Sequence, residues 1–280
     1  MIKLTIVTIN FNNATGLQKT MESVFNQRSQ DFEYIIIDGG SLDDSVRNIQ
    51  GFEANCTAHL VSSNCFSWLS EVDNGIYHAM NKGIVLAKGE YIHFLNSGDV
   101  LFSKDVVNNM LDNMPDCDII YGNMIKKMTD GKLIYNRAMP TISFLSFYCG
   151  AINHPVVYTK RTLFEKFGCF DETFKIVSDW KWFLEVIVFK GIVPVYKDVD
   201  VTLFDMTGIS STNKELEMAE RRLVLENVLP SSVLTDYDSY ATPIDQYNRL
   251  NKYWLTRKAF WFVERLLFKL EKLQTRIHLD

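Results

Sequence analysis

The chain reads as an α/β protein built on a doubly wound, mostly parallel sheet. Three observations lead there. Strand-like and helix-like patterns alternate as βαβαβαβ over the first hundred residues. "FEYIIID" is apolar almost throughout, as a strand covered by helices on both faces must be. Polar side chains, Asn10, Asp38 and Asp99, recur where apolar strands stop, the edge at which open parallel sheets bind ligands.

The elements follow in order. "KLTIVTI" is rich in β-branched residues and predicts the first strand; Leu17, Met21, Val24 and Phe25 then recur at helical spacing. "FEYIIID" is the second strand, and "SLDDSVRNI" opens a helix with Ser41 as its N-cap. "AHLVSS" is expected to be the third strand, "GIYHAMNKGIVLAKG" a helix closed by Gly89, and "YIHFLN" the fourth strand. Beyond residue 101 the pattern changes. "CDIIYGNMIKKMTDGKLIYN" suggests paired strands about a tight Asp130-Gly131 turn. "TKRTLFEKFG" and "SDWKWFLEVIVFKG" are helices stopped by glycine, and "VPVYKDVDVTLF" is a further strand. "NKELEMAERRLVLENVL" predicts an amphipathic helix, "TDYDSYATPIDQ" a polar linker, and the last thirty residues helix again.

At 280 residues the chain suffices for one large α/β domain or two small ones. The opening "MIKLTIVTINFNN" has too short an apolar run for a signal peptide, and no run is long enough for a spanning helix. Five scattered cysteines without C-x-x-C spacing argue for reduced, buried thiols in a cytosolic protein. Charge is uneven. Residues 249–280 carry eight Lys/Arg against three acids, leaving 21 basic against 31 acidic residues elsewhere. The acidic body argues against a nucleic-acid partner.

Neither G-x-x-x-x-G-K-[ST] nor a G-x-G-x-x-G after strand one is present, so a glycine-rich helix N-terminus is not the phosphate-binding device. A divalent metal bridging a carboxylate and a diphosphate is the physical alternative. Mg²⁺ or Mn²⁺ commonly takes one or two protein carboxylates, with substrate phosphate and water completing its shell. A lone Asp99 is then sufficient. A single acid at a strand end also serves as ordinary turn chemistry; three polar residues on one edge favour a ligand site.

Five segments, in order across residues 2–212, resemble the inverting family 2 glycosyltransferases of the GT-A fold: "TIVTINFNN…LQKTMESVFNQ", "FEYIIIDGGSLDDS", "SEVDNGIYHAMNKGIVLAKGEYIHFLNSGDVL", "GCFDETFKIVSDWKWFLEV" and "GISS". The third is the most specific and is similar to the branch that builds surface polysaccharides such as colanic acid. The resemblance implies a catalytic domain over 1–212, with a Rossmann-like nucleotide-sugar half at 1–100 and an acceptor half at 101–212. A helical extension then covers 213–280, basic and amphipathic from about 249. It implies a hexosyltransferase-type, inverting enzyme using a UDP- or GDP-sugar, Mn²⁺ or Mg²⁺, and a glycan or lipid-linked acceptor.

Carried over by position, Asp99 matches the metal-coordinating acid and Asp179 the general base. Asn10, Asp38, Asp73, Asn81, Ser97 and Gly98 match the donor-binding stretches, and His154 and Trp180 fall on the acceptor side. The chain departs from the family where Gly39, Gly98 and Asn96 stand in place of acids, which leaves the nucleobase open, and where His78 replaces an Asp. The Q-x-x-R-W motif of processive synthases is absent, favouring single addition. Asp179 follows Ser178, a potential cap, at a helix start whose dipole favours the ionised form; without the resemblance it reads as first-turn helix chemistry. His154 before proline otherwise reads as structural, Trp180 and Trp182 face different ways on a helix, and Asp205 reads as a solvated turn or a further metal ligand. The basic, aromatic tail suits an interfacial helix on anionic lipid, or equally a helix packed on its own domain or on a second copy in a homodimer. The expected location is cytoplasmic, at the inner face of the plasma membrane. The rival functions are a nucleotidyltransferase and a degenerate sugar-nucleotide-binding scaffold.

Overall fold

The computed structural model describes residues 2–59, 66–113, 116–128, 130–150, 152–251 and 253–277. The chain divides into two compact units, Met1–Asn227 and Val228–Asp280, so the first unit runs past the 212/213 boundary expected from the sequence.

The first unit opens with the alternation expected: β1 (Leu4–Asn10), α1 (Ala14–Phe25), β2 (Glu33–Asp38), α2 (Ser45–His59), β3 (Phe66–Ser70), α3 (Ile76–Leu86) and β4 (Tyr91–Phe94). These strands lie parallel in the order β3-β2-β1-β4. Every residue of β1 and β2 is buried, which explains why their sequences are apolar rather than alternating. Leu17, Met21 and Val24 carry the buried stripe of α1, whose start is capped by Asn13 accepting from the Gly16 N–H.

The remainder of the unit is β5 (Val100–Leu101), α4 (Val106–Leu111), β6 (Ile119–Lys127), β7 (Leu133–Asn136), α5 (Phe144–Cys149), β8 (Val157–Lys160), α6 (Arg161–Phe167), α7 (Ser178–Phe183), β9 (Val195–Asp205), α8 (Ile209–Thr212) and α9 (Lys214–Val228). The sheet continues as β4-β8-β6-β9-β5, with β7 on the side of β6. Here the pairings mix: β8 is antiparallel to β4 and β6, β6 is parallel to β9, and β5 is antiparallel to β9. The β6–β7 hairpin turns at Gly131 with φ +82°, as Asp130-Gly131 predicts. α7 runs on into a π-helical stretch, Leu184–Phe189.

Several expectations are corrected. The third strand is Phe66–Ser70, not "AHLVSS": His59 still belongs to α2, and residues 60–65 of that segment lie outside the described residues. Ser41 caps no helix, because its side chain is tied to Asp38 and α2 starts only at Ser45. Gly89 is not a helix stop. It passes so close to β1 that a Cβ would lie 2.5 Å from the Thr5 nitrogen. Cys149 and Cys169 are exposed and Cys117 half-buried, so these three thiols do not form part of a core.

The second unit holds α10 (Ser231–Leu250) and α11 (Trp254–Ile277). The polar "linker" is therefore helix. Its buried residues are sparse but helically spaced: Leu234 and Ala241 sit two turns apart on one face, and Pro243 is accommodated within the helix. Among the described residues no helix is long and apolar enough to cross a membrane.

Candidate active site

The carboxyl ends of β1, β2 and β4 and the end of β9 converge on one edge. Ser97 N–H bonds to the Ile9 carbonyl, and Asn13 Nδ2 donates to Ser97 O at 3.0 Å, so the turn after β4 is sewn to β1 and α1. Gly98 adopts φ +105°, a conformation that favours glycine. Its N–H donates to Thr20 Oγ1, which in turn donates to the Asp99 carbonyl at 2.7 Å. Val100 and Leu101 follow at once because they pair with Leu203 and Thr202 of β9. That pairing brings Asp205 to the turn. The Asp205 N–H donates to Asp99 Oδ1 at 2.8 Å, and a Cβ on Gly98 would lie 2.6 Å from Asp205 Oδ2. Asp99 is 3% exposed; burial pushes its carboxyl up to about 7, with the Asp205 N–H and His154 opposing and the Asp205 charge adding.

Asp179 lies in the first turn of α7, and both its oxygens are engaged. His154 Nδ1 lies 2.6 Å from Oδ2, and Tyr77 Oη lies 2.8 Å from Oδ1. Burial would raise its pKa, but the His154 hydrogen bond and charge, Tyr77 and the Trp180 N–H outweigh it, and the carboxyl sits below the ordinary aspartate value. Tyr77 has one hydroxyl proton and two acceptors, since Ile176 O lies only 2.5 Å away. Burial first, and then Asp179, push the phenol well above its usual pKa, so it remains a donor.

Ser178 does not cap α7. The loop entering α7 is instead held by a distant helix: Glu220 of α9 accepts the N–H groups of Lys175, Ile176 and Val177 at 2.8, 2.9 and 3.2 Å. Arg221 of α9 donates to Gly150 O, pairs with Glu217 at 3.0 Å and stacks 4.9 Å over the Trp180 ring. Tyr77, Glu220 and Arg221 were not singled out in the sequence. The only signal available was the helical spacing of α9, which predicts an amphipathic helix and not the loop it braces.

The remaining expected site residues separate into groups. Asp38 is fully buried and accepts four hydrogen bonds, from Asn10 Nδ2, Ser41 N, Ser41 Oγ and Ser70 Oγ. Burial opposes ionisation, yet these donors keep its carboxyl below the usual range. It fastens the β1, β2 and β3 ends together, with Asn10 (1% exposed) as its partner. Asp73 accepts from the Gly75 N–H at 2.9 Å and reaches over Gly39, where a Cβ would lie 2.5 Å from its Oδ2. Asn81 points elsewhere: it bonds Phe170 N and O and Glu172, steadying the loop that leads to α7. Trp180 and Trp182 are both buried, with their N–H groups on Phe147 O and Gly168 O, so neither offers an open platform. His78 accepts from the Asn74 N–H.

No cluster of three or more His, Cys, Asp or Glu suited to a metal occurs among the described residues. The donor set nevertheless fits a hard divalent cation. It consists of one buried carboxylate with a second beside it, with no Lys or Arg among the groups that shift its pKa, and a hard cation that prefers oxygen ligands is the charge that would relieve it.

The family model described as glycosyl transferase family 2 matches residues 5–176. A PGL/p-HBAD biosynthesis glycosyltransferase of Mycobacterium bovis is 25% identical over 225 residues, covering 79% of this chain and 83% of that protein. An uncharacterized glycosyltransferase of Mycobacterium tuberculosis is 30% identical over 214 residues, covering 74% and 77%. Among solved structures, S. aureus TarS 1-349 in complex with UDP-GlcNAc superposes with a TM-score of 0.60 at 15% identity, over 85% of this chain and 73% of that one. The mannosyltransferase PcManGT from Pyrobaculum calidifontis, in complex with GDP-Man and Mn²⁺, gives 0.56 at 12% identity, over 91% and 82%. At these identities the two structures speak for the GT-A fold alone.

Proposed function

Because the chain belongs to glycosyl transferase family 2 and is a glycosyltransferase, we propose that it moves a sugar, with inversion, from a UDP- or GDP-sugar to a hydroxyl of a glycan or lipid-linked acceptor in the assembly of a bacterial surface polysaccharide or glycolipid. The observation that carries this reading is Asp179: a buried carboxylate held ionised by His154 and Tyr77 and joined through Asn96 to the turn that bears Asp99.

In this reading Asp179 takes the proton of the acceptor hydroxyl as its oxygen bonds the anomeric carbon. The bond to the leaving phosphate breaks, and the nucleoside diphosphate departs with the electron pair. A positioned base of this kind contributes roughly 10²–10⁴-fold. Tyr77 suits the protonated product state: its hydroxyl keeps its own proton, donates it in a hydrogen bond to Ile176 O, and accepts from Asp179. Asp99, with Asp205 beside it, would hold Mn²⁺ or Mg²⁺, whose chemistry is Lewis-acid stabilisation of the departing diphosphate. Asn10, Asp38, Ser97, Gly98 and Asp73 shape the donor edge, Asp38 from beneath. The catalytic body is proposed as 1–212, with α9 bracing it through Glu220.

α11 exposes Trp254, Leu255, Trp261, Phe262, Leu266 and Leu267, with Lys258 stacked over Trp254 and Arg265 over Trp261. Aromatics carrying cations suit an anionic lipid surface, which supports a place at the cytoplasmic face of the plasma membrane.

Asp179→Asn tests the function. Release of UDP or GDP from UDP-GlcNAc and GDP-mannose with Mn²⁺ should fall by about 10²–10⁴-fold, while donor binding is spared. Full turnover by the variant refutes the base assignment; release of pyrophosphate from UTP or GTP with a sugar 1-phosphate, and no UDP or GDP from the sugar nucleotides, makes the chain a nucleotidyltransferase.

A further inference from the structure

We propose that His154 is a positioning residue that fixes the carboxylate of Asp179 and ties it, through the side chain of Asn96, to the turn that carries Asp99. The proposal rests on the reading of Asp179 as the base. It assigns His154 a place behind that base rather than on the acceptor.

The ring is held at both nitrogens. Nδ1 lies 2.6 Å from Asp179 Oδ2, and Nε2 lies 3.0 Å from Asn96 Nδ2. A carboxylate oxygen only accepts, so a proton sits on Nδ1, directed at Asp179, while Nε2 meets the side-chain amide of Asn96. The backbone beneath the ring is pinned as well. The carbonyl of Pro155 accepts from His93 Nε2 at 2.8 Å and from Thr202 Oγ1 at 2.5 Å. His93 is fully buried, and burial drives its pKa down to about 4, so it is a fixed neutral donor. Three elements, β4, the 3-10 turn His154–Val156 and β9, thus set the position of one ring.

The consequence is geometric. Asn96 begins the four-residue turn Asn96-Ser97-Gly98-Asp99, and the Asp99 N–H bonds back to the Asn96 carbonyl. The chain Asn96–His154–Asp179 therefore spans from the donor turn to the base with hydrogen bonds throughout. A base must stay within a fraction of an ångström of the line of attack on a carbon whose leaving group sits on the donor turn. Coupling the two through one rigid ring keeps that distance constant. Asp179 has Tyr77 of α3 on its other oxygen and the charge of Arg221 of α9, itself paired with Glu217, nearby; His154 is its other titratable partner.

Three substitutions separate the two ends of the ring. Asparagine at 154 can return an N–H near the Nδ1 position, glutamine a polar atom near Nε2, and alanine neither. On the full chain, ¹⁵N-histidine NMR should show one Nδ1–H tautomer with a strongly downfield proton. That proton should disappear in the His154 variants and move upfield in Asp179→Asn. In Mn²⁺-dependent hydrolysis of UDP-GlcNAc and GDP-mannose, His154→Ala should lower kcat about 10–100-fold, as loss of a group orienting a site residue does, with the donor KM within about 2-fold. The acidic limb of its pH profile should move to higher pH, because the ionised base loses a donor. His154→Asn should recover most of kcat and return the limb; His154→Gln should not. An Nε2–H tautomer, a proton signal indifferent to Asp179→Asn, or glutamine outperforming asparagine overturns the proposal. Full activity of Asp179→Asn with the NMR coupling intact would instead overturn the base assignment and leave the His154 geometry standing.

Discussion

Asp99→Asn should stabilise the metal-free protein, and more so as pH rises. The folded state holds Asp99 protonated up to about 7, whereas the unfolded chain releases the proton near 3.8. Between those values the unfolded state binds fewer protons, so stability falls as pH increases, the reverse of a salt-bridged aspartate. Linkage with these two values gives a loss of about 2 kcal/mol by pH 5 and about 4 kcal/mol by pH 8. Asparagine has no charge to desolvate, and its carbonyl can keep the hydrogen bond from the Asp205 N–H. The gap between variant and parent should therefore widen by about 2–3 kcal/mol from pH 5 to pH 8. At about 2–4 °C per kcal/mol, that is a relative Tm gain of about 4–12 °C. Thermal unfolding in EDTA at both pH values measures it. Adding Mn²⁺ at pH 8 should raise the parent's Tm and leave the variant unmoved. A gap that is flat with pH, or a parent more stable than the variant at pH 8 in EDTA, would refute the reasoning.

Gly89→Ala should be among the most damaging single substitutions away from the site, since its Cβ would meet backbone at 2.5 Å (Thr5 N) and 2.6 Å (Leu4 C); a loss of about 1–3 kcal/mol or more is expected in the urea midpoint. Glu220→Ala removes the acceptor of three backbone N–H groups ahead of α7 and should lower kcat more than it changes donor KM, a split read directly in steady-state kinetics. Vesicles containing anionic lipid should float the full chain but not a chain truncated before Asn248; equal flotation removes the membrane role of α11, and a change in oligomeric state on truncation assigns that helix to a second copy.

Much of the fold was written locally. The β1–β4 alternation, the Asp130-Gly131 hairpin and the helices α1, α6 and α9 follow from hydrophobic period and from glycine at turns, because each depends on neighbours within a few residues. The third strand was misplaced because α2 is longer than its weak periodicity indicated, and α10 was mistaken for a linker because only widely spaced residues of a polar helix are buried. At the site, the family resemblance singled out the carboxylates Asp99 and Asp179 by position in a motif. It did not give their environments. Glu220 lies more than forty residues from the loop it holds, and Tyr77 about a hundred from the carboxylate it touches.

Short-range properties, turn geometry and strand polarity, made the opening βα alternation, the polar residues at the strand ends and the lone acid in "NSGDVL" legible in the sequence. Tertiary structure alone decided what that acid faces. Strand β9 returns beside β5 and delivers Asp205, the Pro155 turn delivers His154, and α9 closes on α7. Charge, proton position and base strength are set by whatever packs within a few ångströms, and that depends on which distant segments the sheet brings together.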